Sequence, residues 1–164
     1  MEGYVGKIEQ VVPVDFPLLV DGGSPFPILL QSELRCILAF DLLILNETDP
    51  LTGVLTFQDC LGVFVNGFSE ESRSKHHLYR RGLSEISFIG EVVNSSWVAQ
   101  VGVVATSRTS SSQGNVRALS KHFIMVFHDS VIECIACGID VESSPLSQTK
   151  LVSTLVQQLY NPSR

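Results

Sequence analysis

The alternation of apolar residues between Lys121 and Val141 constrains this chain most. Phe123, Met125 and Phe127 alternate with His122, Ile124 and Val126. A turn triplet follows, His128-Asp129-Ser130. Val131, Ile135, Cys137, Ile139 and Val141 then share a parity on the way back. Successive side chains of a strand point to opposite faces, so this spacing predicts an antiparallel hairpin with one face buried. Other short apolar runs, Leu34 to Leu45, Val54 to Phe57, Leu61 to Val65 and Ile86 to Val93, are bounded by turn signals and read as further strands. Pro13 and Pro17 confine any strand before residue 20 to a sheet edge.

Helical spacing is found in two places. Trp97, Val101 and Val104 fall on one helical face after Asn94, which reads as an N-cap. Leu151, Val152, Leu155, Val156, Leu159 and Tyr160 form a helical stripe after Ser144-Pro145. His76 to Arg81 reads as a short helical turn closed by Gly82, and Ser107 to Asn115 as a mobile loop. The expected fold is α+β. It has a mainly antiparallel sheet of six to eight strands, open or curled into a barrel, a C-terminal helix and a shorter middle helix. At 164 residues the chain is the length of a single domain, residues 1–164.

Composition narrows the function classes. Hydrophobic residues are 45% and charged residues 17%, which excludes a disordered chain or a coiled coil. A net charge of −6 argues against nucleic acid or an anionic membrane as partner. The start Met1-Glu2-Gly3-Tyr4 has neither a basic leader nor an apolar core, and no apolar stretch reaches membrane-spanning length, so the expected location is the cytoplasm. Cys134 and Cys137 have the CxxC spacing, but three residues along a strand put their Cα atoms about 10 Å apart on opposite faces. They read as core cysteines. No metal or other cofactor is expected, because no ligand spacing announces one.

Charge is unevenly placed. Residues 1–72 hold eleven acids and two bases, whereas residues 73–128 hold seven bases, two acids, all four histidines and the only tryptophan. Arg73, Lys75, His76, His77, Arg80 and Arg81 fall within nine positions. Arginine offers a bidentate fork to carboxylate or phosphate. One reading is therefore a binding or accessory module that holds an anionic small molecule or partner with Arg80, Arg81 and His77, with Trp97 or Tyr79 stacking on it. The alternative is ordinary surface pairing with the acidic first half.

Glu133 is the strongest catalytic candidate. It shares its strand face with Val131 and Ile135, and a buried carboxylate has to be paired or shift its pKa. It could act as acid or base in a small hydrolase or isomerase, with His128 or His77 as partner. It could equally lie near the strand end and reach solvent or an arginine. His128-Asp129-Ser130 has the letters of a catalytic triad, but adjacent side chains diverge and suit a turn better. A third reading is a homodimer that buries a sheet edge.

The motifs His77-Leu78-Tyr79-Arg80-Arg81-Gly82-Leu83, Asn94-Ser95-Ser96-Trp97 and His122-Phe123 through Phe127-His128-Asp129-Ser130, with Glu133-Cys134-Ile135-Ala136, lie within residues 54–142. Together they resemble a family of uncharacterised bacterial proteins carrying H-x-L-Y-x-x-G-L, N-S-x-W and F-H-D-S-x-x-E-C. The resemblance implies no reaction and no cofactor. It implies that His77, Tyr79, Trp97, His128 and Glu133 meet in one region.

Overall fold

A computed structural model describes residues 7–33, 35–106 and 120–160 of the chain. The loop expected over residues 107–115 lies outside them. Nine strands form two antiparallel sheets. The first sheet has the order β1-β6-β7-β8-β5, with β1 Gln10–Pro13, β5 Gly62–Asn66, β6 Ile89–Val93, β7 Lys121–Val126 and β8 Val131–Ala136. The second has the order β2-β3-β4-β9, with β2 Ile28–Gln31, β3 Cys36–Asp41, β4 Thr52–Gln58 and β9 Gly138–Ser144. Helix α1 spans Ser96–Thr106 and α2 spans Gln148–Tyr160. The α+β expectation holds. Among the described residues the strands form no closed barrel, because they pair as two separate open sheets that share a core, and they exceed the expected number.

The alternation in the sequence decides how the layers meet. Phe123, Met125, Ile132, Cys134 and Ala136 turn inward from the first sheet. They meet Cys36, Leu38, Phe40, Leu55 and Phe57 of the second. Phe40, Phe88 and Phe127 form an aromatic knot with Phe16, with ring centroids 4.7–6.2 Å apart. Each fully buried ring of this kind contributes roughly 1.5–3 kcal/mol by burial. Within the run expected from Leu34 to Leu45, the stretch Cys36 to Phe40 is apolar throughout because β3 is covered on both faces, whereas Leu43, Ile44 and Leu45 lie past its end and are exposed. Leu38 and Phe40 face the other sheet, and α2 packs on the reverse side, where the Gln148 amide donates to the carbonyls of Ala39 (3.1 Å) and Phe26.

Two local expectations need correction. The return strand from Val131 to Val141 is two strands in different sheets. The chain breaks at Cys137-Gly138 and crosses from β8 into β9, where Ile139 and Val141 still pack on the shared core. An added Cβ at Gly138 would stand 2.9 Å from the Gln58 amide oxygen, so glycine suits this corner. The cap of α1 is Ser95, not Asn94. Ser95 Oγ accepts the Val98 N–H at 3.2 Å, while Asn94 takes a left-handed turn with φ +58° just before it.

The outer face of the first sheet carries a second apolar layer. Val11, Val92, Ile124, Val126 and Val131 are covered by Phe68, by Leu78 and Leu83 from a segment of three consecutive 3₁₀ turns over Arg73–Glu85, and by Ile86 just after it. Gly82 ends the middle turn at φ +104°, and a Cβ there would stand 2.2 Å from the Val11 carbonyl oxygen. Gly82→Ala should therefore lower stability by about 1–3 kcal/mol, read as a lower urea midpoint with an unchanged slope. An unchanged midpoint would mean that this segment does not dock as described.

Candidate functional site

The hairpin register creates the site. Ile124 lies opposite Glu133, and His122 opposite Ile135, so His122 and Glu133 are diagonal neighbours on the outer face. Phe64 of β5 lies opposite Glu133 from the other side, with Asn66 one diagonal away. Three layers close over this patch: the start of α1, the 3₁₀ segment bearing His76 and His77, and Glu9 just ahead of β1.

Glu133 is 6% exposed and accepts from three side chains. His122 Nε2 stands 3.0 Å from Oε2, Asn66 Nδ2 3.3 Å from Oε1, and His76 Nε2 3.5 Å from Oε1. Burial alone would push this carboxyl up. The donors from His122, His76 and Asn66 outweigh burial and hold it well below the usual carboxylate range. Glu133 is thus an ionised acceptor, and each imidazole turns a proton toward it.

The far side of each ring fixes its tautomer. The Leu78 N–H donates to His76 Nδ1 at 3.2 Å, so in the neutral ring the proton sits on Nε2, facing Glu133. His122 Nδ1 lies 2.8 Å from Ser95 Oγ. That hydroxyl already accepts the Val98 N–H and has its own proton to donate to Nδ1. A continuous path, Ser95 O–H to His122 Nδ1 and His122 Nε2–H to Glu133, results. The Trp97 ring stands edge-on to His122, at 5.2 Å and 87°, and His77 stacks on His76 at 4.7 Å. No buried side-chain nitrogen or oxygen among the described residues lacks a partner.

A pocket of about 390 Å³ opens onto this arrangement. Its walls are Trp97, Phe64 and Val63, and its polar lining is Glu9, His77, Ser96, His122 and Glu133. Glu9 Oε1 accepts the Ser96 N–H at 2.6 Å and the Ser96 hydroxyl at 2.8 Å. Burial raises the Glu9 pKa, but the Ser96 donors, with His77 and His122 nearby, bring it below its ordinary value. The amide at the head of α1 therefore holds a carboxylate oxygen.

Among the residues singled out from the sequence, Glu133, His77 and Trp97 line this pocket. His128 does not. It is bonded to Asp129 at 2.9 Å and borders two other hollows, of about 230 and 600 Å³, beside Pro25. Arg80 and Arg81 are exposed and Tyr79 is half-buried, all three outside the lining of the Glu133 pocket. Ser95, His76, Asn66 and Glu9 were not legible as site residues. His122 could have been found, since the hairpin places it on the same outer face as Glu133. Among the described residues no cluster of three or more His, Cys, Asp or Glu is arranged to hold a metal ion, and no helix is long and apolar enough to cross a membrane. No protein-family model, curated protein or solved structure matches this chain.

A carboxylate whose folded pKa is depressed adds stability above its unfolded value, near 4.5, and that stability is lost as pH falls through the folded value. Glu133→Gln should cost about 1–3 kcal/mol at neutral pH, because one of the three donors then meets an N–H group. The gap between wild type and variant should hold at neutral pH and narrow as pH falls below the usual carboxylate range. Urea melts at several pH values measure this. A variant as stable as wild type at neutral pH would contradict the ionised, triply bonded Glu133.

Proposed function

We propose that this chain is a small hydrolase-type enzyme, with Ser95 as nucleophile, His122 as acid and base, and Glu133 as the carboxylate that orients His122. The observation that carries this reading is a single imidazole bonded on one side to a hydroxyl at 2.8 Å and on the other to an ionised, buried carboxylate at 3.0 Å. A serine–histidine–acid unit is recognised by such geometry and not by residue order or fold. Here the ring is reversed, with Nδ1 toward the hydroxyl and Nε2 toward the acid. The relay is unaffected, because each imidazole nitrogen can carry the proton that the other lacks.

Local backbone supports the same reading. Ser95 stands between β6 and α1, directly after a left-handed Asn94. A tight strand-to-helix turn of this kind presents a nucleophile at the head of a helix. In the proposed reaction, Ser95 Oγ attacks an acyl carbon, its proton passes to His122 Nδ1, and Glu133 stabilises the resulting imidazolium. His122 then returns that proton to the leaving group, and water releases the acyl group by the same path. The Ser96 amide follows the nucleophile but is held by the Glu9 carboxylate, so it would serve a developing oxyanion only after substrate displaces Glu9 from it. With Glu9 and Glu133 in its lining, the pocket favours a neutral or cationic substrate over an anion. The anion-binding alternative would have to use Arg80 and Arg81 on the exposed surface instead.

Ser95 is recessed behind Ser96 and Trp97, so reaction with a compact fluorophosphonate is a demanding test. The expected result is one adduct, mapped by mass spectrometry to Ser95. It should be absent in Ser95→Ala, and form about 10²–10⁴-fold more slowly in His122→Asn with the fold retained by circular dichroism. No adduct on wild type, or equal labelling of Ser95→Ala, would overturn the proposal.

A further inference from the structure

In the core between the sheets, on the face of β8 opposite Glu133, three thiols share one cluster: Cys134 of β8, Cys36 of β3 and Cys60 of the turn before β5. Cys36 and Cys134 are fully buried in the core between the sheets, and Cys60 packs against them half-buried. The Cys60 and Cys134 sulfurs lie 3.6 Å apart, in contact and unbonded. Cys60 stands in the turn between β4 and β5, after Asp59, a left-handed residue with φ +48°. It is outside the strand ladder, so its side chain can move toward Cys134 without breaking a β4 or β5 pair.

We propose that Cys60 and Cys134 are a peroxide-oxidised pair, Cys60 reacting first and Cys134 resolving it to a disulfide. Cys60 is the only one of the three that solvent reaches to a substantial extent. Its thiol is drawn below the ordinary range by the Cys134 and Cys36 thiols that point at it, whereas Cys134 is pushed up by its neighbours and by burial. In the first step the Cys60 thiolate attacks one oxygen of a hydroperoxide. The O–O bond breaks, leaving a sulfenic acid on Cys60 and releasing water or an alcohol. In the second, Cys134 sulfur attacks Cys60 sulfur and the S–S bond forms. The sulfenic hydroxide leaves with the Cys134 proton as water. Two thiols are oxidised by two electrons and one peroxide is reduced.

The inference is independent of the Ser95 proposal. Cys134 follows Glu133 on β8, and Cys60 lies two residues before Gly62, where a Cβ would stand 3.1 Å from Trp97. A bond between them therefore ties β8 to the turn that leads into β5, next to the floor of the pocket.

The test treats the native, reduced full-length protein with hydrogen peroxide, then counts thiols and maps peptides without reduction. Two of the four thiols should be lost, with a Cys60–Cys134 linked peptide that dithiothreitol reverses. Cys134→Ala should leave Cys60 as a sulfenic acid that dimedone traps, and Cys60→Ala should stop the loss. Both variants should keep the wild-type circular dichroism spectrum; if Cys134→Ala does not fold, the wild-type peptide map decides alone. No thiol loss, a link through Cys36 or Cys137, or over-oxidation of Cys60 without a cross-link would overturn the pair.

Discussion

A carboxylate taken out of water has to be met by donors, and the outer half of this molecule is arranged around that requirement at Glu133. Leaving a buried charge without partners costs several kcal/mol, comparable to a large fraction of a domain's net stability. The partners come from four separate parts of the chain: Asn66 from β5, His76 from the 3₁₀ segment, His122 from β7, and Ser95 through His122. The charge at Glu133 thus ties irregular segments to a sheet whose own strands would form without it. An apolar residue at this position would let the segment slide. The His76 imidazole fixes that segment against β8, and His122, through Ser95, fixes the head of α1.

The same arrangement explains why a reactive unit could lie here. Sheets supply rigid positions along β7 and β8, and the helix head supplies a hydroxyl at a defined depth. The pocket between α1 and the 3₁₀ segment exists because neither covers the patch completely. Its polar lining is the continuation of the network that holds the two covers in place. Structural anchoring does not compete with the proposed proton transfer, since a relay works only where its rings cannot rotate.

Strands β3 to β8 were legible in the sequence because Phe123, Met125 and Phe127 alternate cleanly and turn signals bound each apolar run, whereas β2 was hidden behind Pro25 and Pro27. The crossing at Cys137-Gly138 was not. Periodicity of two runs on unchanged from β8 into β9, and only long-range pairing of Gly138 with Gln58 shows that the strand has changed sheets. Glu133 was legible as a polar residue on an apolar face. Its partners were not, because Ser95, His76 and Asn66 sit in turns and at strand ends whose approach to Glu133 is set by tertiary packing. The basic run misled for a related reason. Among its neighbours His76 turns inward against Phe68, while Arg80 and Arg81 point outward, and composition cannot distinguish these directions.

Long-range ¹⁵N–¹H correlation of the histidine rings at neutral pH tests the central claim most directly. The hydrogen bonds predict that His76 Nδ1 accepts the Leu78 N–H and Nε2 carries the proton toward Glu133, and that His122 Nε2 is likewise the proton-bearing nitrogen. Both signatures should change in Glu133→Gln. A His76 ring with its proton on Nδ1, or two rings averaging freely between tautomers, would contradict an ionised Glu133 as the acceptor that organises this face.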